Sequence, residues 1–183
     1  MTQRIQKTVK VWSVATRLFH WSLVASVATA WLTSDEFRSA HELAGYCALG
    51  LVAFRVIQGL IGERYARFSQ FVRSPVHTLK YLGSMARGRE ARYIGHNPAG
   101  ALMVLALLVT VFGTGLTGWM QTTDTWWGIE WVEEVHEVLA NSLLVLIALH
   151  VAGVILASHR HGENLVRAMV NGKKPAPGSG DIG

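Results

Sequence analysis

The stretch VHEVLANSLLVLIALH, residues 135–150, decides how this chain is read. Between His136 and His150 stand mostly Leu, Val, Ile and Ala, the composition of a helix surrounded by hydrocarbon. Such a helix needs no imidazole. Ionisable groups at membrane depth are costly and normally face the interior of a bundle, where they find a partner. The two histidines are fourteen residues apart. At about 100° and 1.5 Å per residue they return to within about 40° of one direction, separated by roughly 21 Å. One helix therefore presents two imidazoles on one face, across most of the hydrocarbon layer.

The rest of the chain agrees with a membrane protein. Half of its 183 residues are hydrophobic and only 16% are charged, where a soluble domain of this size is about a quarter charged. Four segments, 15–33, 42–61, 99–120 and 135–157, approach the roughly 20 mostly apolar residues a span requires. The expected architecture is an all-α integral membrane four-helix bundle over residues 1–174, with short interfacial helices and a flexible tail at 175–183. The N-terminal MTQRIQKTVKVWSVATR does not read as a cleaved signal peptide. The single cysteine, Cys47, excludes an internal disulfide, a CxxC redox pair and a CxxCH haem attachment; its apolar setting reads as core filler.

Charge gives the orientation. The N-terminal segment, the 62–98 connection and the C-terminal segment hold fifteen of the seventeen Lys and Arg, against four acids, Glu63, Glu90, Glu163 and Asp181. The other two connections hold Asp35, Glu36, Glu42, Asp124, Glu130, Glu133, Glu134 and Glu137, with Arg38 as their one base. Lys and Arg favour the cytoplasmic side, which places both termini there. The net charge of +5 is thus a topology signal, with lipid headgroups as partners, and gives no ground for nucleic-acid binding. The acidic outer side is either the remainder of this bias or a surface for a basic or haem-bearing partner. Trp119, Trp126, Trp127 and Trp131 flank it as an aromatic belt.

Within 62–98, SPVHTLKYLGSMARG has apolar residues at helical spacing with basic neighbours, as in a helix lying in the interface. GHNPAG then opens the third span, with Asn97 as N-cap and Pro98 at the first helical position. GENLVRAMVN reads as a short amphipathic helix, and the Pro- and Gly-rich end as disorder.

Four of the eight histidines fall in or at the spans. With cytoplasmic termini, His20 and His150 share the inner half, and His41 and His136 the outer. Zinc usually takes four ligands, or three and a water. Haem iron needs only two protein ligands, because the porphyrin supplies four nitrogens. Paired imidazoles therefore point to two haems, non-covalent and so b-type, with His20, His41, His136 and His150 as iron ligands. Gly45, Gly50, Gly113, Gly115 and Gly118 leave room for flat rings. Arg55, inside the second span, either snorkels or pairs with an inner-haem propionate; Arg17 is similar, and Arg38 is a candidate for an outer-haem propionate. His77, His159 and His161 read as interfacial, and His96 as local capping, with a place near a propionate or quinone as the lesser alternative. No catalytic residue stands out.

TRLFHW (16–21), HELAGY (41–46), RYARFSQFVRSP (64–75), GHNPAGALM (95–103), HEVLAN (136–141), ALHVAGV (148–154) and ENLVRAMVNGKK (163–174) together resemble the bacterial cytochrome b561 family, which includes the b-type cytochrome subunits of nickel–iron hydrogenases. The resemblance implies a four-helix di-haem cytochrome of the bacterial inner membrane, with axial ligands at His20, His41, His136 and His150. It also implies electron transfer between the quinone pool and a periplasmic partner, a c-type cytochrome or hydrogenase. The first connection, TSDEFRSA, is shorter than in the hydrogenase subunits and favours a c-type cytochrome. One alternative is a free-standing quinone-linked oxidoreductase acting on a small species such as superoxide at the outer haem. Another is a histidine-lined metal transporter or anchor, which would be colourless. A homodimer is left open.

Overall fold

The computed structural model describes residues 8–183; Arg4 and Lys7, counted above among the basic residues, lie outside them. In chain order the elements are β1 (Thr8–Lys10), α1 (Val14–Leu32), α2 (Arg38–Ile61), α3 (Phe68–Phe71), α4 (Pro75–Ala86), α5 (Pro98–Met120), α6 (Glu130–His161), α7 (Leu165–Asn171) and β2 (Lys173–Pro175). The chain is mostly helical, and α2, α5 and α6 are long and apolar enough to cross a membrane. The segment expected as a further span is helical, as α1, 19 residues long, but it is not among the helices apolar enough to cross, its apolar character being diluted by Thr16, Arg17, His20 and Ser22.

The helix ends follow capping and charge. Asn97 Oδ1 accepts from the Gly100 N–H at 2.7 Å and Pro98 opens α5, as the sequence indicates. Ser74 Oγ accepts from the His77 N–H at 3.4 Å and starts α4, the short helix expected within 74–88. The α6 helix begins five residues before the expected span and continues four beyond it. Its first turn carries Glu130 and Glu133 and its last His159, Arg160 and His161, charges that complement the helix dipole. An apolar run ends where charges begin, but the helix does not. The α2 helix likewise starts early, at Arg38, which pairs with Glu42 one turn on at 2.7 Å.

The chain groups into two compact units. One comprises residues up to Arg17, Gly59–Met103 and His150–Gly183; the other comprises Leu18–Gln58 and Val104–Leu149.

In the first unit Val11, Trp12, Ile94 and Ala168 form a buried core, with Val9, Tyr65 and Met169 packed against it. The β1 strand pairs antiparallel with β2, Val9 opposite Lys174. Gly172, in the left-handed region at φ 81°, ends α7, and its carbonyl accepts from the N–H groups of Val11 (2.8 Å) and Trp12 (3.2 Å). Around this core runs an ion network. Arg92 bonds Glu163 (2.9 Å) and Asp181, Lys174 bonds Glu163 (3.1 Å), and Arg160 bonds Glu90 (2.8 Å). The side chains of Glu163 and Lys174 are each only 4% exposed.

The network shifts its members. Burial pulls Lys174 below the usual ammonium range against the pull of Glu163. The Gly178 N–H, helped by the Arg92 guanidinium, holds Asp181 below the usual carboxylate range. Burial pushes the Glu90 carboxyl up, but its bonds to Arg160 and its own main chain outweigh that and leave it low. Burial, with Glu90 and Tyr93 beyond it, pushes the Tyr81 phenol up to about 12.

This network corrects the expectation of a flexible tail. Lys173–Pro175 is a paired strand, Asp181 is bonded to Arg92, and Ile182 exchanges main-chain bonds with Arg92 and Ile94 at 2.9 Å. Pro and Gly composition alone suggested disorder; partners far away in sequence, in β1 and at Arg92 and Ile94, supply the order.

In the second unit Ala44, Ala48, Val52 and Arg55 are buried at intervals of three or four, one face of α2. Phe19 packs near Phe54 with ring centroids 6.4 Å apart, and the Tyr46 and Thr122 hydroxyls bond at 3.0 Å. Val109 and Phe112 on α5 and Val138 and Val145 on α6 are exposed, apolar surface of the kind lipid covers. Cys47, expected as core filler, is exposed on α2, because the buried stripe runs through its neighbours Ala44 and Ala48.

Candidate bis-histidine site

The second unit brings two of the expected ligands together. His41 lies in the first turn of α2 and His136 in the second turn of α6. Their ring centroids are 6.2 Å apart, with the planes at 69°. Each ring is tethered by one nitrogen to the main chain. His41 Nδ1 bonds the Ala30 carbonyl at 2.7 Å, one of the last four of α1, which an α-helix leaves without internal partners. His136 Nδ1 bonds the Thr114 carbonyl of α5 at 2.9 Å and lies 3.2 Å from Thr117 Oγ1. A ring nitrogen facing a carbonyl must carry the proton, so both Nε2 atoms keep lone pairs.

This arrangement fits two imidazoles on one iron. Two imidazoles held on one metal by bonds of about 2 Å, each ring adding a half-width of roughly 1 Å, would have centroids about 6 Å apart, close to the 6.2 Å observed. Tethering of the other ring nitrogen to a carbonyl is the usual support of a metal-ligating histidine. Gly45, one turn after His41, and Gly50 face open space: a Cβ added at either would meet nothing within 4 Å. Among the described residues no three His, Cys, Asp or Glu gather as a metal-binding group, so the pair lacks the ligand number zinc requires.

The other glycines have a different role from the one expected. A Cβ on Gly113 would meet Leu139 at 3.0 Å, one on Gly115 would meet Leu49 at 2.7 Å, and one on Gly118 would meet His136 Cε1 at 3.0 Å. Their space is taken by protein side chains, and Gly118 in particular admits the His136 ring against α5.

His20 is half-buried on α1, edge-on to Trp21 with centroids 5.0 Å apart. His150 is half-buried on α6. The two belong to different units. Along α6, Val132, His136, Leu139, Leu143, Ile147 and His150 are all at least half-buried and recur at intervals of three or four, so both histidines lie on the inward stripe of one uninterrupted helix. Arg55 is buried, at 3% exposure. The Arg17 side chain donates to the Val170 carbonyl, and Arg38 is exposed and paired with Glu42.

Asn97 caps α5, next to His96. The His96 ring packs with Trp12 and Phe71, each centroid 4.7 Å away. His77 reaches the Tyr93 hydroxyl at 3.3 Å. Thr117 is not legible in the sequence, since a hydroxyl in the run TVFGTGLTGW gives no sign that it meets a histidine on another helix.

A helical membrane protein with two tethered imidazoles at single-metal spacing defines a candidate b-type cytochrome. The family model described as prokaryotic cytochrome b561 matches residues 11–172, and the chain belongs to that family, whose members are membrane cytochromes carrying b-type haem. No curated protein and no solved structure matches the chain.

Proposed function

We propose that residues 1–174 form a four-helix transmembrane di-haem domain with both termini cytoplasmic. It carries electrons across the bacterial inner membrane between the quinone pool and a periplasmic redox partner, a c-type cytochrome in preference to a hydrogenase. The observation that carries this is the His41–His136 pair, with rings at 6.2 Å and both Nδ1 atoms on main-chain carbonyls. His41 and His136 hold the outer haem; His20 and His150 hold the inner one. The inward stripe of α6 supports the second assignment by placing His150 on the face that carries His136. The bound haem supplies a reversible one-electron couple. The protein's part is to fix the two axial imidazoles in one tautomer, exclude water and set the local charge.

Of the three arginines considered for propionates, Arg55 is the best supported. It is the one buried within a spanning helix, where a guanidinium matches carboxylate geometry.

Purified chain should contain two low-spin bis-histidine haems that quinol reduces and an oxidised c-type cytochrome reoxidises. His41→Ala or His136→Ala should each lose one haem and keep the other, and His20→Ala or His150→Ala the converse. Unchanged haem content in all four variants would refute the assignment.

A further inference from the structure

Thr117 lies on α5, 7% exposed, in the run TVFGTGLTGW. Its hydroxyl has one proton, given to the Gly113 carbonyl at 2.8 Å with the Thr114 carbonyl at 3.1 Å as a weaker second acceptor. What Oγ1 presents to His136 Nδ1, 3.2 Å away, is therefore a lone pair. The Nδ1 proton is shared between this oxygen and the Thr114 carbonyl. His41 differs: its Nδ1 has the Ala30 carbonyl as its acceptor. The two imidazoles of the pair are thus tethered unequally, and the inequality is one side-chain hydroxyl.

An acceptor on the far nitrogen raises the basicity of the ligating nitrogen and fixes the ring plane. A more basic ligand favours the more positive state of the metal. Donor accounting also leaves Thr117 no competing tautomer to support, because its proton is already committed along its own helix.

We propose that Thr117 is a positioning residue of the outer site. It fixes the orientation and tautomer of His136 and, by accepting part of the Nδ1 proton, lowers the reduction potential of the iron that His136 holds. This rests on the haem assignment above. It adds that a threonine touching neither iron nor substrate tunes the outer site through one of its two imidazoles.

The test uses the full-length haem-loaded protein, wild type against Thr117→Val and Thr117→Ser. Potentiometric titration of the visible spectrum and low-temperature electron paramagnetic resonance read each haem separately. Thr117→Val, of nearly the same shape, should shift one midpoint to higher potential and move one low-spin resonance, leaving the other haem unchanged. Thr117→Ser should restore both readings. If Thr117→Val does not assemble, Thr117→Ala is read in the same way. A Thr117→Val protein with wild-type haem content, potentials and resonances would overturn the inference while leaving the haem assignment intact. Equal shifts in both haems, or a serine variant as displaced as the valine one, would also overturn it. A wild-type protein without bis-histidine haem would overturn the assignment itself, and this inference with it.

Discussion

Glu163→Gln is the sharpest test of how the first unit is held together. Glu163 is the one acid that meets both Arg92 and Lys174, and its side chain is 4% exposed, as is that of Lys174. In the native protein two cations face two carboxylates, Glu163 and Asp181. The substitution leaves two cations with one carboxylate, and the one that remains, Asp181, is the more exposed at 17%. Removing one partner of a buried ion pair destabilises by about 3–5 kcal/mol. Glutamine keeps the shape and one acceptor, so the lower figure applies, about 3 kcal/mol. At about 2–4 °C per kcal/mol for a chain of this size, the melting temperature should fall by on the order of 10 °C. Thermal unfolding of detergent-solubilised protein, followed by far-ultraviolet circular dichroism, measures it. Asp181→Asn is the control and should lower it by only a few degrees. A Glu163→Gln protein melting within about 2 °C of wild type would show that Glu163 adds little to stability, and one melting no lower than Asp181→Asn would show that it is not the centre of the network.

Three further outcomes follow from the same geometry. Asp181 and Glu90 are held below the usual carboxylate range, so their stabilising contribution is complete above about pH 5 and is lost as the pH falls through their lowered values; Asp181→Asn should flatten the acid limb of a melting-temperature profile. Gly172→Ala puts a Cβ 2.6 Å from the Trp12 carbonyl oxygen at φ 81°; left-handed strain of about 1–2 kcal/mol plus that clash should lower the melting temperature clearly in the same assay. Gly118→Val crowds His136, whose Cε1 lies 3.0 Å from the added Cβ, and should lower the haem content read from the absorbance spectrum of the purified protein.

Much of this fold is legible in the sequence because hydrocarbon imposes a simple rule on it. Runs of about 20 apolar residues must be helical, and α1, α2, α5 and α6 lie where those runs are. His41 and His136 were legible for a related reason: an imidazole has little business in an apolar helix unless something receives it. Features made by distant contacts were not legible. The β1–β2 pairing, the Arg92–Glu163–Lys174–Asp181 network and the His96 packing each join segments far apart in sequence, and their residues look like ordinary interfacial charges and rings. Composition misled at the C-terminal segment, because Pro and Gly lower local propensity without showing whether a partner waits elsewhere. The roles of Gly113, Gly115 and Gly118 were invisible too: a missing side chain does not say whether a porphyrin or a leucine takes the space.

The tethers of His41 and His136 have a consequence for how this site tolerates change. Ala30 and Thr114 take part through their carbonyl oxygens, which every amino acid supplies. Side chains at positions 30 and 114 can therefore be exchanged without removing either tether. A shift in helical phase is a different matter. One residue inserted or deleted near the end of α1 would rotate the next carbonyl into place about 100° away, and the histidine would lose its anchor though no residue of the pair had altered. The site should thus be robust to substitution and fragile to insertion, with its specification stored in segment lengths more than in residue identities.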